Sequence, residues 1–337
     1  MKLRELAAPR EAIVDRRGDP LEGSFRGGLP TGDLAALRAK RGRARALATE
    51  KTWLFGIIAS DDVIVSFAVV DAGYANNAFL YVADPRGGLR ARDSVLGVPR
   101  LSARFGDTAL LPCDVRFRFP RSSYEITRER GQTAYRVCIE TPSVHLEVAL
   151  ETRGSPPPIS AVVRLDGGHV AATEKQALLR VRGGLAVRGE RRTLDDALAG
   201  LDYTHGFLPR HTAWRWAYFL GRSACGTRIA LNVVEGFNGS PECAVWVGDD
   251  LFGTAEARFV FSREDLLAPW HISTPDGVVD LTFQPSGMYA DVRDLGLLRS
   301  KFRQPFGFFS GKIVLEDGRE LRLDDVPGVA EDQDMLW

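Results

Sequence analysis

The sequence lacks a charge excess of either sign, because its 337 residues contain 44 lysines and arginines and 44 aspartates and glutamates. Proteins that bind nucleic acid neutralise phosphates with surplus cations, so this balance argues against general nucleic-acid binding. No apolar run approaches the roughly 18 residues of a membrane-spanning helix. The start of the chain also lacks the apolar core of a secretory signal. We therefore expect a cytoplasmic protein with no integral membrane span.

Motifs that bind metals or nucleotides are scarce as well. The four cysteines and five histidines form no C-x-x-C pair and no pair at ligand spacing on one face, which argues against a dedicated metal site. No G-x-G-x-x-G motif follows a strand. Segment 307–312 does not fit a phosphate-binding loop, because Phe306 replaces its first glycine and Ile313 its final serine or threonine. The sequence predicts neither a metal nor an organic cofactor.

Most of the chain has the pattern of short strands. In segments 115–119 and 144–148 every second residue is apolar, which is the period of a strand with one face on a core and the other in water. Similar segments recur throughout the chain, and turn residues at 248–250 and 316–318 mark two hairpins. This pattern predicts an all-β, mainly antiparallel fold.

Helical patterning is confined to a few places, chiefly residues 33–50 and a short segment at 193–201 that begins with a capping box. We interpret the second segment as a connector. Many short strands without alternating helices favour closed antiparallel barrels or sandwiches. We therefore predict an N-terminal arm with a helical segment at residues 1–50, a first barrel at 51–192 and a second barrel at 193–337.

The densest group of aromatic and titratable side chains lies at residues 202–216. Trp214, Trp216 and Tyr218 alternate along a predicted strand, so they form an aromatic row on one face. In the functional interpretation this row is the wall of an apolar ligand cavity, with His205 and Asp202 at its mouth as proton donor and acceptor. In the alternative interpretation the row is barrel core and His205 is a loop residue.

Two later segments also contain candidate site residues. Segment 300–311 places Arg303 and Gln304 among aromatic residues, where an arginine could orient a polar head group; the alternative is a loop packed under a barrel. For the tail at 328–337, an exposed acidic end is the favoured interpretation. A buried Glu331 that acts as a general acid is the other.

Seven segments together resemble the bacterial family catalogued as domain of unknown function 2804. They are TEK at 173–175, LDYTHG at 201–206, TAWRWA at 212–217, ECAVWV at 242–247, DLTFQP at 280–285, KFRQPFG at 301–307 and GVAED at 328–332. Their order carries the resemblance, which covers most of the chain. Members of the family commonly have His after the Glu-Asp pair, where this sequence has Gln333. The departure puts a shared acid–base role of that position in doubt.

That family is similar to the lipocalin-like group of the carotenoid 1,2-hydratases (hydroxyneurosporene synthases) and the AttH-like proteins. The resemblance implies two lipocalin-like barrels in tandem, with few short helices. It also implies reactions on hydrophobic substrates, such as hydration of isolated double bonds or pericyclic cyclisation, that need no metal or organic cofactor.

Three functions from different classes are consistent with these observations. The favoured one is binding of an apolar small molecule, such as an isoprenoid, lipid or polyketide, in a barrel or between the barrels. The second is a cofactor-independent hydratase, lyase, isomerase or cyclase that uses the same cavity. The third is a structural or interaction module without a ligand. The expected partner is a hydrophobic small molecule, and a homodimer is left open.

Under these hypotheses each candidate residue has a role. The predicted catalytic residues are His205 as general acid or base, Asp202 as its orienting partner, and Glu331. Lys175 and Arg303 would anchor a polar head group. The predicted ligand-binding residues are Tyr203, Trp214, Trp216, Lys175, Arg303, Gln304, Phe306 and Trp246.

Overall fold

The protein folds into two antiparallel β-sheets in tandem, as seen in a computed structural model that describes residues 4–294 and 299–337. Each sheet is barrel-like, and two tandem lipocalin-like barrels fit the arrangement. The predicted all-β fold class is confirmed. Within the described residues, α-helix is limited to α1 (Ala35–Arg41) and α2 (Arg43–Thr49), and neither helix is long and apolar enough to cross a membrane.

The first sheet contains the strands of the N-terminal part of the chain. They are β1 (Gly23–Arg26), β2 (Glu50–Ser60), β3 (Val63–Asp71), β4 (Asn76–Asp84), β5 (Gly88–Gly97), β6 (Ala103–Phe105), β7 (Cys113–Phe119), β8 (Ser122–Arg128), β9 (Ala134–Glu140), β10 (Val144–Glu151), β11 (Ile159–Leu165), β12 (His169–Val187), β13 (Glu190–Thr193) and β14 (Leu198–Phe207). The main path of the sheet runs β5-β4-β3-β2-β14-β12-β10-β9-β8-β7-β6.

The second sheet contains the remaining strands in the order β18-β17-β16-β15-β23-β22-β21-β20-β19. They are β15 (His211–Arg222), β16 (Arg228–Gly236), β17 (Ala244–Val247), β18 (Asp250–Gly253), β19 (Arg258–Val260), β20 (Trp270–Ser273), β21 (Val279–Asp294), β22 (Arg299–Val314) and β23 (Glu320–Leu336). The two predicted hairpins at 248–250 and 316–318 connect β17 to β18 and β22 to β23, as expected.

Hydrogen bonds also link parts of each sheet that are not adjacent in the strand order. In the first sheet the Thr141 hydroxyl donates to Asp93 of β5 (2.7 Å), which links an edge strand to the β9–β10 turn. In the second, the backbone N–H of Ala257 donates to the carbonyl of Val234 in β16 (3.1 Å).

The predicted alternation is present in the strands that suggested it. Along β7, Cys113, Val115 and Phe117 are buried while Arg116 and Arg118 are exposed. β10 behaves in the same way. The buried side chains of these strands fill the interior of the first barrel, as expected for half-buried antiparallel strands.

Two local predictions are corrected by the structure. The helix predicted at 33–50 is instead two helices, because Gly42 adopts a φ of 74° that ends α1 and separates it from α2. The helix predicted at 193–201 is wrong: Asp195 lies in a turn, where its carboxylate accepts the N–H of Gly183 (2.9 Å). From Leu198 the chain continues as a strand.

The position of β14 determines where the chain leaves the first sheet. This strand pairs with both β2 and β12, so it lies in the middle of the first sheet. The chain passes to the second sheet only between Phe207 and His211. The boundary predicted at residue 193 therefore precedes the last strand of the first sheet.

The N-terminal arm contacts both sheets. β1 pairs with β11 in the first sheet. The backbone N–H of Arg4 donates to the carbonyl of Gly253 (3.0 Å), and the Arg4 guanidinium donates to the carbonyl of Ser240 (2.7 Å) in the second barrel. The arm thereby helps to hold the two barrels together.

Candidate functional site

One face of the first sheet carries polar and aromatic residues in adjacent strands. Residues directly opposite each other in an antiparallel pair point to the same face. Lys175 of β12 is opposite Asp202 of β14, which is in turn opposite Phe55 of β2. Two residues further along the same pair of strands, Thr204 is opposite Trp53. These five side chains therefore share one face, which is turned toward the second barrel.

A matching face of the second sheet lies across from it. Trp214 of β15 is opposite Gln333 of β23, and Trp216 is opposite Glu331. Trp216 and Tyr218 stack with ring centroids 5.5 Å apart. The aromatic row predicted from the alternation is therefore present, and the carboxylate of Glu331 lies beside it.

A cavity of about 230 Å³ lies between these two faces, with a lining that is mostly apolar. We call it the inter-barrel cavity. Its aromatic lining residues are Trp53, Phe55, Tyr74, Phe79, Trp214, Trp216, Phe237, Phe302 and Trp337. Its deeper polar lining residues are Lys175, Asp202, Thr204, Glu242, Glu331 and Gln333. An aromatic cleft with a few convergent polar groups is the usual form of a small-molecule site.

Glu331 is the most chemically distinctive of these polar groups. Its side chain accepts hydrogen bonds from Trp214 Nε1 (2.9 Å) and Gln304 Nε2 (2.6 Å), and Gln304 in turn accepts one from the Tyr81 hydroxyl (2.5 Å). Burial raises the pKa of Glu331 to about 7, against the opposing effect of the two hydrogen bonds. A carboxyl with this pKa holds a proton that it can donate near neutral pH. The exposed acidic tail, the favoured interpretation of this segment, is therefore wrong.

Lys175, Asp202 and Glu242 form a second buried group, which we call the lysine cluster. Lys175 Nζ lies 2.5 Å from Asp202 Oδ1 and 3.3 Å from Glu242 Oε2. Burial favours the neutral amine, but the two carboxylates outweigh it and raise the pKa of Lys175. Burial raises the pKa of Glu242, and Lys175 opposes that effect. The lysine is thus a charged donor with partners already in place.

His205 and Tyr203 lie on the other side of β14 from Asp202. His205 Nε2 lies 2.9 Å from Glu50 Oε1, and its Nδ1 lies 3.0 Å from the carbonyl oxygen of Gly32. Tyr203 is buried in the first barrel. Neither residue lines the inter-barrel cavity. The predicted pairing of His205 with Asp202 is wrong because neighbouring odd and even positions of a strand face opposite sides; His205 instead joins the N-terminal arm to the first barrel.

The remaining candidates lie around the cavity rather than in it. Gln304 is buried behind Glu331, and Phe306 packs against Tyr81 with ring centroids 6.0 Å apart. Trp246 is buried and donates to the carbonyl of Pro157 (2.9 Å). Arg303 is half-buried on the face of β22 opposite Gln304. The structure therefore brings Lys175, Asp202, Trp214, Trp216 and Glu331 together in the cavity, with Gln304 supporting them.

Sequence reasoning missed several lining residues. Trp53 and Phe55 alternate along β2, so the period that identified Trp214 and Trp216 could have identified them. Trp53 stacks on Trp214, with ring centroids 6.2 Å apart and an interplanar angle of 12°. Glu242 carries no such signal, because it lies in a short 3-10 turn at Ser240–Glu242 and reaches Lys175 only through the packing of the two barrels.

Comparisons with known proteins agree with this architecture. A family model described as Domain of unknown function (DUF2804) matches residues 4–337. A search of curated proteins found no match. The fold is similar to that of CghA, solved with Sch210972, at 11% identity and a TM-score of 0.58, over 86% of this chain and 89% of that chain.

Two further solved structures are similar over most of their length. Kievitone hydratase from Nectria haematococca matches at 10% identity and a TM-score of 0.51, over 87% of this chain and 90% of that chain. An AttH-type protein from Nitrosomonas europaea matches at 14% identity and a TM-score of 0.48, over 85% of this chain and 92% of that chain. At these identities, CghA and kievitone hydratase establish a shared fold.

Proposed function

We propose, from the premise that this chain belongs to the family of Domain of unknown function (DUF2804), that the protein binds an apolar small molecule in the inter-barrel cavity. The observation that carries the proposal is the cavity itself, with its largely apolar, aromatic lining and its few buried polar groups. Trp53, Trp214 and Phe237 pack as a group of rings along one wall. Flat aromatic walls of this kind provide a large apolar contact area at low entropic cost.

Filling the inter-barrel cavity should abolish this binding. Ala68 lines the cavity beside Phe55 and is 3% exposed, so the ring of Ala68→Phe would occupy the space of a ligand. With the uncharged fluorescent probe N-phenyl-1-naphthylamine, we expect a saturable rise in emission for the unmodified protein. We expect affinity to fall at least about tenfold in Ala68→Phe, because the apolar contact surface is lost.

Ala134→Phe is the matched control, because Ala134 is half-buried in β9 and is not among the cavity-lining residues. It should bind the probe like the unmodified protein. Equal binding by both variants, or no binding by the unmodified protein, would contradict the proposal. Native mass spectrometry of the protein purified from its own host should in addition detect a copurifying hydrophobic molecule.

A second candidate function, acid catalysis on an alkene, is favoured by the state of Glu331. Its raised pKa of about 7 makes it a proton donor, and Trp216 lies beside it in the register of β15 and β23. The Glu331 proton would form a C–H bond with the π electrons of the alkene, which leaves a carbocation on the adjacent carbon. Aromatic faces stabilise such a cation.

Two outcomes restore the acid. Water adds to the cation and returns a proton to the Glu331 carboxylate, which gives an alcohol and makes the protein a hydratase or, in reverse, a lyase. Alternatively, the cation loses a neighbouring C–H proton to the carboxylate, which gives an isomerised alkene. Both routes return the proton to Glu331 and consume no reagent other than water.

Deuterium exchange tests this second function. With geraniol in D₂O near neutral pH, we expect the protein to introduce deuterium at alkene positions, detected by mass spectrometry. Glu331→Gln should slow the incorporation by about 10²–10⁴-fold, the usual contribution of a general acid. Glu320→Gln, an exposed change on the same strand, should leave the rate unchanged. Incorporation that persists in Glu331→Gln would exclude Glu331 as the acid.

A further inference from the structure

Gln333 is the deep polar group of the inter-barrel cavity whose oxygen has neither a hydrogen bond nor an ion pair among the described residues; the buried Asp202 Oδ1 also lacks a hydrogen bond, but it is paired with Lys175. Lys175 Nζ lies between two carboxylates, and both oxygens of Glu331 accept hydrogen bonds. Gln333 is 5% exposed and lines the cavity, yet its buried Oε1 has no hydrogen-bond partner among the described residues. A buried amide oxygen left without a partner is costly to the folded protein.

The surroundings of Gln333 explain why no side chain among the described residues donates a hydrogen bond to its Oε1. Trp214 lies directly opposite on β15, and the only N–H of its side chain, Nε1, donates to Glu331. The other strand beside β23 is β22, in which Lys301 is opposite Asp334 and Phe306 is opposite Val329. The same register places Phe302 opposite Gln333. An aromatic ring on each side supplies no free hydrogen-bond donor to Gln333. Between these rings, Gln333 lines the inter-barrel cavity.

We propose that Gln333 is the polar anchor of the ligand and that the ligand carries a hydroxyl group that donates to Gln333 Oε1. This inference rests on the proposed binding function of the inter-barrel cavity and specifies the class of molecule that binds there. An uncharged group suits the position, because the neighbouring charges of the lysine cluster are already paired with one another.

The position of Gln333 on β23 also determines how far the hydroxyl of the ligand lies from Glu331. Glu331 and Gln333 are two residues apart on β23 and face the same side, which separates their Cα atoms by about 7 Å. A ligand whose hydroxyl contacts Gln333 therefore places carbon atoms further along its chain beside Glu331. The class of molecule is therefore an apolar molecule that carries a hydroxyl group rather than a pure hydrocarbon.

A matched pair of probes tests the anchor. Geraniol has a hydroxyl at one end and an alkene at the other, and 2,6-dimethyl-2,6-octadiene has the same carbon skeleton without the hydroxyl. Binding is followed by the fluorescence of the cavity tryptophans. We expect the unmodified protein to bind geraniol about tenfold more tightly than the hydrocarbon, as one buried hydrogen bond provides.

Gln333→Met keeps the length of the side chain and removes its amide. We expect this variant to lose the preference, with weaker binding of geraniol and unchanged or tighter binding of the hydrocarbon. Gln284→Met, the same change at an exposed position of β21, should keep the preference, which controls for effects on folding.

The outcomes separate the two proposals. Equal affinity of the unmodified protein for both probes would leave ligand binding intact and overturn the role of Gln333. The same conclusion would follow if Gln333→Met retained the preference. If neither probe bound to the unmodified protein, the proposed binding function would itself be contradicted, and the anchor with it.

Discussion

Replacement of Lys175 by Met should lower the free energy of unfolding by about 3–5 kcal/mol, the usual cost of removing one partner from a buried ion pair. Lys175, Asp202 and Glu242 are all less than one-tenth exposed. Without the ammonium group, two carboxylates would face each other in the protein interior with no opposite charge between them. Urea denaturation at pH 7 measures the effect.

Two comparisons identify the cause of that loss. Lys312→Met removes a lysine whose ion pair with Glu320 (3.0 Å) is exposed, and it should change stability by less than about 1 kcal/mol. Combining Lys175→Met with Asp202→Asn and Glu242→Gln removes all three charges and should recover much of the lost stability. A loss below about 1 kcal/mol for Lys175→Met alone would show that the cluster is not the buried ion group described above.

Replacement of Glu331 by Gln should make the protein more stable at pH 8 by up to about 3 kcal/mol, with little difference near pH 4.5. The pKa of Glu331 is raised from its ordinary value of 4.5 to about 7. Between these pH values the unfolded chain has released a proton that the folded protein still binds. The free energy of unfolding of the unmodified protein therefore falls as pH rises through this window, and the loss is complete above pH 7.

The glutamine variant does not titrate and escapes this loss. Its hydrogen bonds can be kept, because a flip of the Gln304 amide reverses the bonds to residue 331 and to the Tyr81 hydroxyl. The measurement is the difference in unfolding free energy between Glu331→Gln and the unmodified protein at several pH values. Subtraction removes the contribution of Glu174, whose pKa burial also raises to about 7. A difference that does not vary with pH would contradict the raised pKa of Glu331.

The gain in stability and the loss of function expected of Glu331→Gln have one origin. A carboxyl held in an apolar cavity costs folding free energy at the pH at which it is partly ionised. The same burial makes it a proton donor near neutrality. A stabilised but inactive variant would be the expected trade-off at a functional site.

Local patterns were sufficient to predict the kind of fold and the aromatic wall. Alternation with a period of two depends only on the geometry of a strand, so the faces of β7, β10 and β15 follow from their own residues. Hairpin turns are equally local, since they depend on a few residues with special backbone preferences. The segment at 193–201 was misassigned because its capping residues suit a turn as well as a helix, and the pairing partners of β14 are distant in sequence.

The sequence by itself determined that this is a β protein with an aromatic row at Trp214 and Trp216, and it offered an acid at Glu331 only as the less favoured interpretation of the tail. Only the tertiary structure decided which polar residues meet. Asp202 belongs with Lys175 and Glu242 rather than with His205, and Glu331 is buried rather than exposed. Both results arise because strand order and the packing of one barrel on the other bring together positions separated by tens to hundreds of residues. Burial and charge pairing are properties of that packing, and they give the inter-barrel cavity its chemistry.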